Sequence, residues 1–236
     1  MIKRELNYYL DKIDRVLSKG DYSVIALLDD GRILKVFDIN YLLFLKQIDY
    51  NIEKQLVNAM SYDIPTSIKK PLEFVYESGL FCGYIMERAK GISFNERNDL
   101  LSINDRLNLS DYAVLHNNLE KVIRESKKLV FPDLLTCDNI FVDKDKNIEL
   151  IDFDGIQVGN NKVLGVSSSL RDLNRVQDMS KYWDKQKMLF TKELDVKSLI
   201  HLYFLDVFNM DLSRVGVVNP SDGKRIMLDD FFRYIN

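Results

Sequence analysis

The chain has 236 residues, of which 46% are hydrophobic and 29% charged, with a formal net charge of −3. That length gives room for one large domain or two lobes around a substantial core, and the charge balance supplies no basic field for nucleic acid. Cys82 and Cys137 make neither a disulfide framework nor a zinc site, and His116 and His201 are isolated. No run reaches the ~18 apolar residues of a membrane helix, and the charged start Met1-Ile2-Lys3-Arg4-Glu5 lacks the apolar core of a signal peptide. The expectation is a cytoplasmic protein with no nucleic-acid or membrane partner.

In chain order, Leu6, Leu10, Ile13 and Leu17 recur at helical spacing; they predict a short helix or turn, then a strand from about Ile13. Gly20-Asp21-Tyr22-Ser23-Val24 reads as a turn, Val24 to Leu28 as an apolar strand, Asp29-Asp30-Gly31 as a hairpin turn, and Arg32-Ile33-Leu34-Lys35-Val36-Phe37 as the returning strand. Lys35 interrupts that apolar run; such a lysine faces solvent, charges a sheet edge, or serves a site. Over 40–60, Leu42, Leu45, Ile48, Ile52, Leu56 and Met60 form one continuous apolar stripe and predict one helix. Glu53 lies beside that stripe, where a carboxylate needs either a cation or solvent. Leu72 to Tyr76 and Leu80 to Met86 read as paired strands around Glu77-Ser78-Gly79. Residues 102–128 turn helical, with Leu107, Leu115, Leu119, Val122 and Ile123 as apolar positions.

The most informative stretch follows. Asn139-Ile140-Phe141-Val142 and Ile148-Glu149-Leu150-Ile151 flank the polar turn Asp143-Lys144-Asp145-Lys146-Asn147, the pattern of a β-hairpin. Antiparallel strands place the start of one beside the end of the other, which predicts that Asn139 and Asp152 converge. An amide oxygen with a carboxylate oxygen suits Mg²⁺ that bridges to phosphates. Residues 156–190 are a long polar stretch, and Thr191-Lys192-Glu193-Leu194-Asp195 opens an apolar helix through Phe208.

Taken together, these residues resemble the protein-kinase superfamily. Phe131-Pro132-Asp133 stands at H-R-D, Asn139 at the loop asparagine, and Asp152-Phe153-Asp154-Gly155 at D-F-G. The likeness departs from the family at Phe131, at Pro132, at the five residues between Asp133 and Asn139, and at Asp154. It implies an α+β, two-lobed fold. Residues 1–87 would be a small N-lobe of antiparallel sheet plus the helix 40–60. Residues 88–236 would be a mainly helical, shortened C-lobe, with the boundary near 87–91.

By the same resemblance the cofactors are ATP and Mg²⁺. Gly20, Ser23 and Val24 would cover the phosphates, and Lys35 would pair with them, oriented by Glu53. Met86 would bound the adenine pocket, with the backbone of Glu87 to Ala89 reading the base edge. Asn139 and Asp152 would hold the metal, and Asp133 would align the acceptor hydroxyl. Asp195 would anchor the catalytic-loop backbone, and Ser167-Ser168-Ser169 beside Arg171 falls where an activation segment would be. The implied partners are ATP and a protein or small-molecule hydroxyl substrate, and the implied activity is that of a Ser/Thr kinase. Two alternatives stay open. One is a pseudokinase acting as a binding module; the other is a phosphotransferase of aminoglycoside- or choline-kinase-like type, since no A-P-E equivalent is present.

Overall fold

The structure is a computed structural model that describes residues 1–20, 22–93, 109–126, 129–131, 139–159, 183–184, 189–191, 217–218 and 225–226. The fold is mixed α+β and divides into two compact units. The first is Met1–Lys90 with Glu149–Asp154; the second is Gly91–Ile148 with Gly155–Asn236. Among the described residues no helix is long and apolar enough to cross a membrane.

The first unit is built on six strands: β1 (Ile2–Glu5), β2 (Ile13–Lys19), β3 (Ser23–Leu28), β4 (Ile33–Phe37), β5 (Pro71–Glu77) and β6 (Leu80–Met86). Their order in the sheet is β1-β5-β6-β4-β3-β2. β1 runs parallel to β5, and every other pairing is antiparallel. The strand from Ile13 and both hairpins fall where the apolar runs predict them. At the β5–β6 turn Ser78 and Gly79 both take positive φ, 51° and 77°. That is the conformation whose twist matches two antiparallel strands, and glycine adopts it without cost. The edge strand β1 is not anticipated in the sequence, because all four of its residues are exposed and show no alternation.

The expected helix over 40–60 is two helices, α2 (Ile39–Gln47) and α3 (Ile52–Met60); a four-residue helix, α1 (Asn7–Leu10), precedes them. Each of the two has its own start. The Asp38 carboxylate accepts from the N–H groups of Asn40 and Tyr41, and the Asn51 amide oxygen accepts from Lys54 N–H. Between them Asp49 adopts φ 54°, a left-handed conformation that ends a helix. Leu45, Ile52 and Leu56 are buried on the two sides of the break, while Ile48 beside it is exposed. Periodicity therefore sees the spacing of apolar residues and not the break.

One face of the sheet packs Ala26, Leu28, Leu34, Val75 and Ile85 with Tyr9 from α1. Alternation along β4 puts Ile33, Lys35 and Phe37 on the opposite face, where all three are also buried. Near the β5 end of the unit lies a buried charge network. The Glu73 carboxylate accepts from Tyr9 Oη at 2.6 Å, from Arg4 Nε at 3.1 Å and from Arg32 Nη1. Burial pushes the Glu73 carboxyl up, but the bonds from Tyr9 and Arg32 outweigh it and hold the group below its usual range. A depressed folded value means the network contributes fully above pH of about 4.3 and is lost as pH falls through the folded value. Glu73→Gln is expected to lower stability by about 2 kcal/mol at neutral pH. Urea unfolding from pH 7 to pH 3 checks this, because the variant should lose less stability than wild type across that window.

In the second unit, α4 (Leu109–Glu125) is the expected helix before the catalytic-loop candidate. β7 (Ile92–Ser93) pairs antiparallel with β9 (Ile140–Val142). β8 (Leu129–Val130) pairs antiparallel with the strand Gln157–Val158. The buried Gln157 amide is satisfied in both directions, donating to Phe190 O at 2.8 Å and accepting from Phe190 N–H at 2.6 Å. After β9 the polar turn over 143–147 closes on itself, with Asp143 N–H donating to Asn147 O at 3.1 Å. The Asp143 side chain also accepts from the N–H groups of Asp145 and Asn147. A strand, Ile148–Leu150, follows the turn as the hairpin pattern predicts. Asp133, Ser167 to Ser169, Asp195 and the helix expected through Phe208 lie outside the described residues.

Candidate functional site

The site of the first unit begins with a lysine in an apolar strand. Lys35 lies in β4, between β3 and β6, with Ile25 and Tyr84 as its cross-strand partners. Both faces of the sheet are covered, so its side chain is only 8% exposed. An ammonium held there requires partners. They come from the far end of the sequence. Lys35 Nζ donates to Asp154 Oδ1 at 2.7 Å and to Asp152 Oδ1. Tyr84 Oη donates to the same Asp154 Oδ1 at 2.5 Å. The ammonium also lies 5.5 Å from the Phe37 ring centroid and 5.9 Å from that of Tyr84, so aromatic faces complete its surroundings.

The segment carrying the two aspartates is stitched to this unit by backbone and charge. Leu150 N–H donates to Ser67 O at 2.7 Å, and Lys69 N–H donates to Leu150 O at 2.8 Å. Lys69, itself buried, pairs with Glu149 at 2.9 Å and with Glu87 at 3.5 Å, while Glu149 also accepts from Lys90 N–H at 2.6 Å. The chain then turns sharply. Asp152 has φ 65°, a conformation that non-glycine residues hold at a cost of order 1–3 kcal/mol when their surroundings impose it. One helical turn, Phe153–Gly155, follows. Its first residue, Phe153, is 1% exposed and anchors the turn that presents Asp154.

Electrostatics follow from this packing. Burial alone would push the Lys35 ammonium down; Asp154, Tyr84 and Asp152 outweigh it and hold it well above its ordinary value. Burial and the negative charge of Asp154 raise Tyr84 and Tyr41 above the usual tyrosine range, and move Tyr50 to about 12. At neutral pH the lysine is therefore a cation and these tyrosines are neutral.

The structure thus brings together Lys35 and Asp152 and adds Asp154 and Tyr84. Glu53 is elsewhere. It pairs with Lys3 at 3.2 Å and accepts from Tyr76 Oη, not from Lys35. The physical reason is the helix break. Glu53 stands in the first turn of α3 rather than midway along a long helix, where a carboxylate favours the helix N-terminus. Gly20 N–H donates to Ser23 O at 3.0 Å, and Ser23 and Val24 pair with Phe37 and Val36. Met86 and Ala89 are buried, while the Glu87 side chain is mostly exposed. Asn139 is half-buried and belongs to the second unit.

Two carboxylates converging on one cationic nitrogen are the hard oxygen donors that Mg²⁺ takes, and a buried lysine is the charge that a phosphate takes. Among the described residues no group of three or more His, Cys, Asp or Glu could hold a metal. Local patterning missed Tyr84 because it looks like any strand aromatic. The acidic residue two positions after Asp152 was the available signal for Asp154. Compared with known proteins, the chain matches no family model and no curated relative.

Proposed function

We propose that the chain is an ATP- and Mg²⁺-dependent phosphotransferase of protein-kinase-like, two-lobed type, acting in the cytoplasm on a hydroxyl acceptor as a Ser/Thr kinase does. One observation carries the reading: a buried strand lysine, Lys35, is ion-paired to Asp152, the acid of the Asp-Phe sequence. In this reading Lys35 steadies the nucleotide phosphates. The resemblance assigns Asp152 and Asn139 to the magnesium ion, which would neutralise charge on those phosphates. Asp133 aligns the acceptor hydroxyl and takes its proton. Gly20, Ser23 and Val24 cover the phosphates, and Met86 with the backbone of Glu87 to Ala89 lines the base site. Phosphoryl transfer draws its acceleration chiefly from such positioning and charge stabilisation.

Incubation with Mg²⁺ and γ-labelled ATP tests the reading. Wild type is expected to transfer label, and Asp152→Ala to fall by about a hundredfold or more. Equal inertness of both, with no ATP bound by either, would refute it. The engagement of Glu53 with Lys3 and Tyr76 favours one second reading, a pseudokinase binding module. Nucleotide binding without turnover would select that alternative. Label on a metabolite but on no protein would place the acceptor among small molecules.

A further inference from the structure

The carboxylate that resemblance assigned to orient Lys35 is occupied elsewhere, yet the lysine is firmly held. Two carboxylates hold it, those of Asp154 and Asp152. Lys35 and Tyr84 are cross-strand partners in β4 and β6, and both donate to one oxygen, Asp154 Oδ1, at 2.7 and 2.5 Å. The Asp154 side chain is 11% exposed and that of Asp152 is 27% exposed. The two acids thus differ in setting. Asp154 is fixed from two strands of a central sheet, and Asp152 is the more accessible of the pair.

We propose that Asp154 is the positioning residue for Lys35, supported by the Tyr84 hydroxyl, in the place that the helix glutamate Glu53 was expected to fill. The division of labour rests on the phosphotransferase reading. Asp154 keeps the ammonium aimed, which would leave Asp152, the more exposed of the two acids, to hold a cation. The orientation of Lys35 is then set by strand register and not by the placement of α3.

Trace acylation of the full chain with acetic anhydride, read peptide by peptide by mass spectrometry, tests the assignment without any substrate. Lys69 is the internal reference. It is as buried as Lys35 in the same unit and is held by Glu149 instead. Asp154→Asn is expected to raise Lys35 labelling about tenfold, the equivalent of losing one charged hydrogen bond, with Lys69 unchanged. Tyr84→Phe, which keeps the buried ring, should raise it by a smaller factor, and Glu53→Gln should match wild type. Lys35 labelling in Asp154→Asn equal to wild type would overturn the assignment. So would a rise in Glu53→Gln as large as in Asp154→Asn, or a parallel rise at Lys69, which marks general loosening. A second arm adds Mg·ATP. Slower Lys35 labelling in wild type, with weaker protection in Asp154→Asn, is expected. Absence of protection in wild type would remove the nucleotide reading, while the variant arm alone decides the role of Asp154.

Discussion

Lys35→Met is expected to destabilise the chain by about 3 kcal/mol and, on the proposed phosphotransferase reading, to abolish nucleotide binding. Methionine fills nearly the same volume without branching, so the loss does not come from a cavity. It comes from leaving Asp152 and Asp154 facing each other without the cation they share. Breaking a buried pair by removing one partner is far more costly than replacing the whole set by neutral groups. The measurement that separates these effects is a comparison of urea midpoints for Lys35→Met and for the triple variant that adds Asp152→Asn and Asp154→Asn. The triple variant should recover most of the lost stability and none of the binding. Equal instability of both would show that the ion cluster is not what holds the segment in place.

Gly83→Ala should be more damaging than its size suggests, by about 3 kcal/mol. A Cβ at Gly83 would lie 2.1 Å from the Lys35 carbonyl oxygen and 3.1 Å from Val36 Cα. Both obstacles are backbone of the neighbouring central strand, so no side-chain rotation relieves the clash. β6 and β4 would have to part where Gly83 pairs with Val36 and Tyr84 with Lys35. The same movement would withdraw both donors from Asp154 Oδ1. Gly79→Ala is the control: it meets nothing within 4 Å but has φ +77°, so it should cost only about 1 kcal/mol. Thermal or urea unfolding of the two variants side by side checks the ranking.

How far these features can be read from residues alone depends on how local their causes are. The hairpins of the first unit are legible because Gly31, Ser78 and Gly79 sit between apolar runs, and turn chemistry acts over a few residues. The polar turn over 143–147 is legible for the same reason. The division of the 40–60 helix is not, since the apolar spacing carries on through Asp49 and Asn51 although Ile48, beside the break, is exposed. β1 is invisible for the opposite reason. It is a strand by partnership with β5, not by composition. Lys35 stands out as a charge in an apolar strand, but its partners lie 117 and 119 residues away. No spacing rule links them; only the docking of residues 149–154 through Ser67, Lys69 and Lys90 makes them neighbours. Glu53 shows the converse. A residue at a plausible interval was drawn off by a helix start that periodicity could not detect.

The margins of the six-stranded sheet have a consequence for behaviour at high concentration. β1 carries Lys3, Arg4 and Glu5, and β2 carries Asp14, Arg15 and Lys19 with two irregularities in its register. Charged, bent borders are poor templates for an incoming strand from another molecule. This sheet is therefore guarded against end-on growth into fibres at both sides, and crowding should not recruit it into cross-strand aggregates while the domain stays folded.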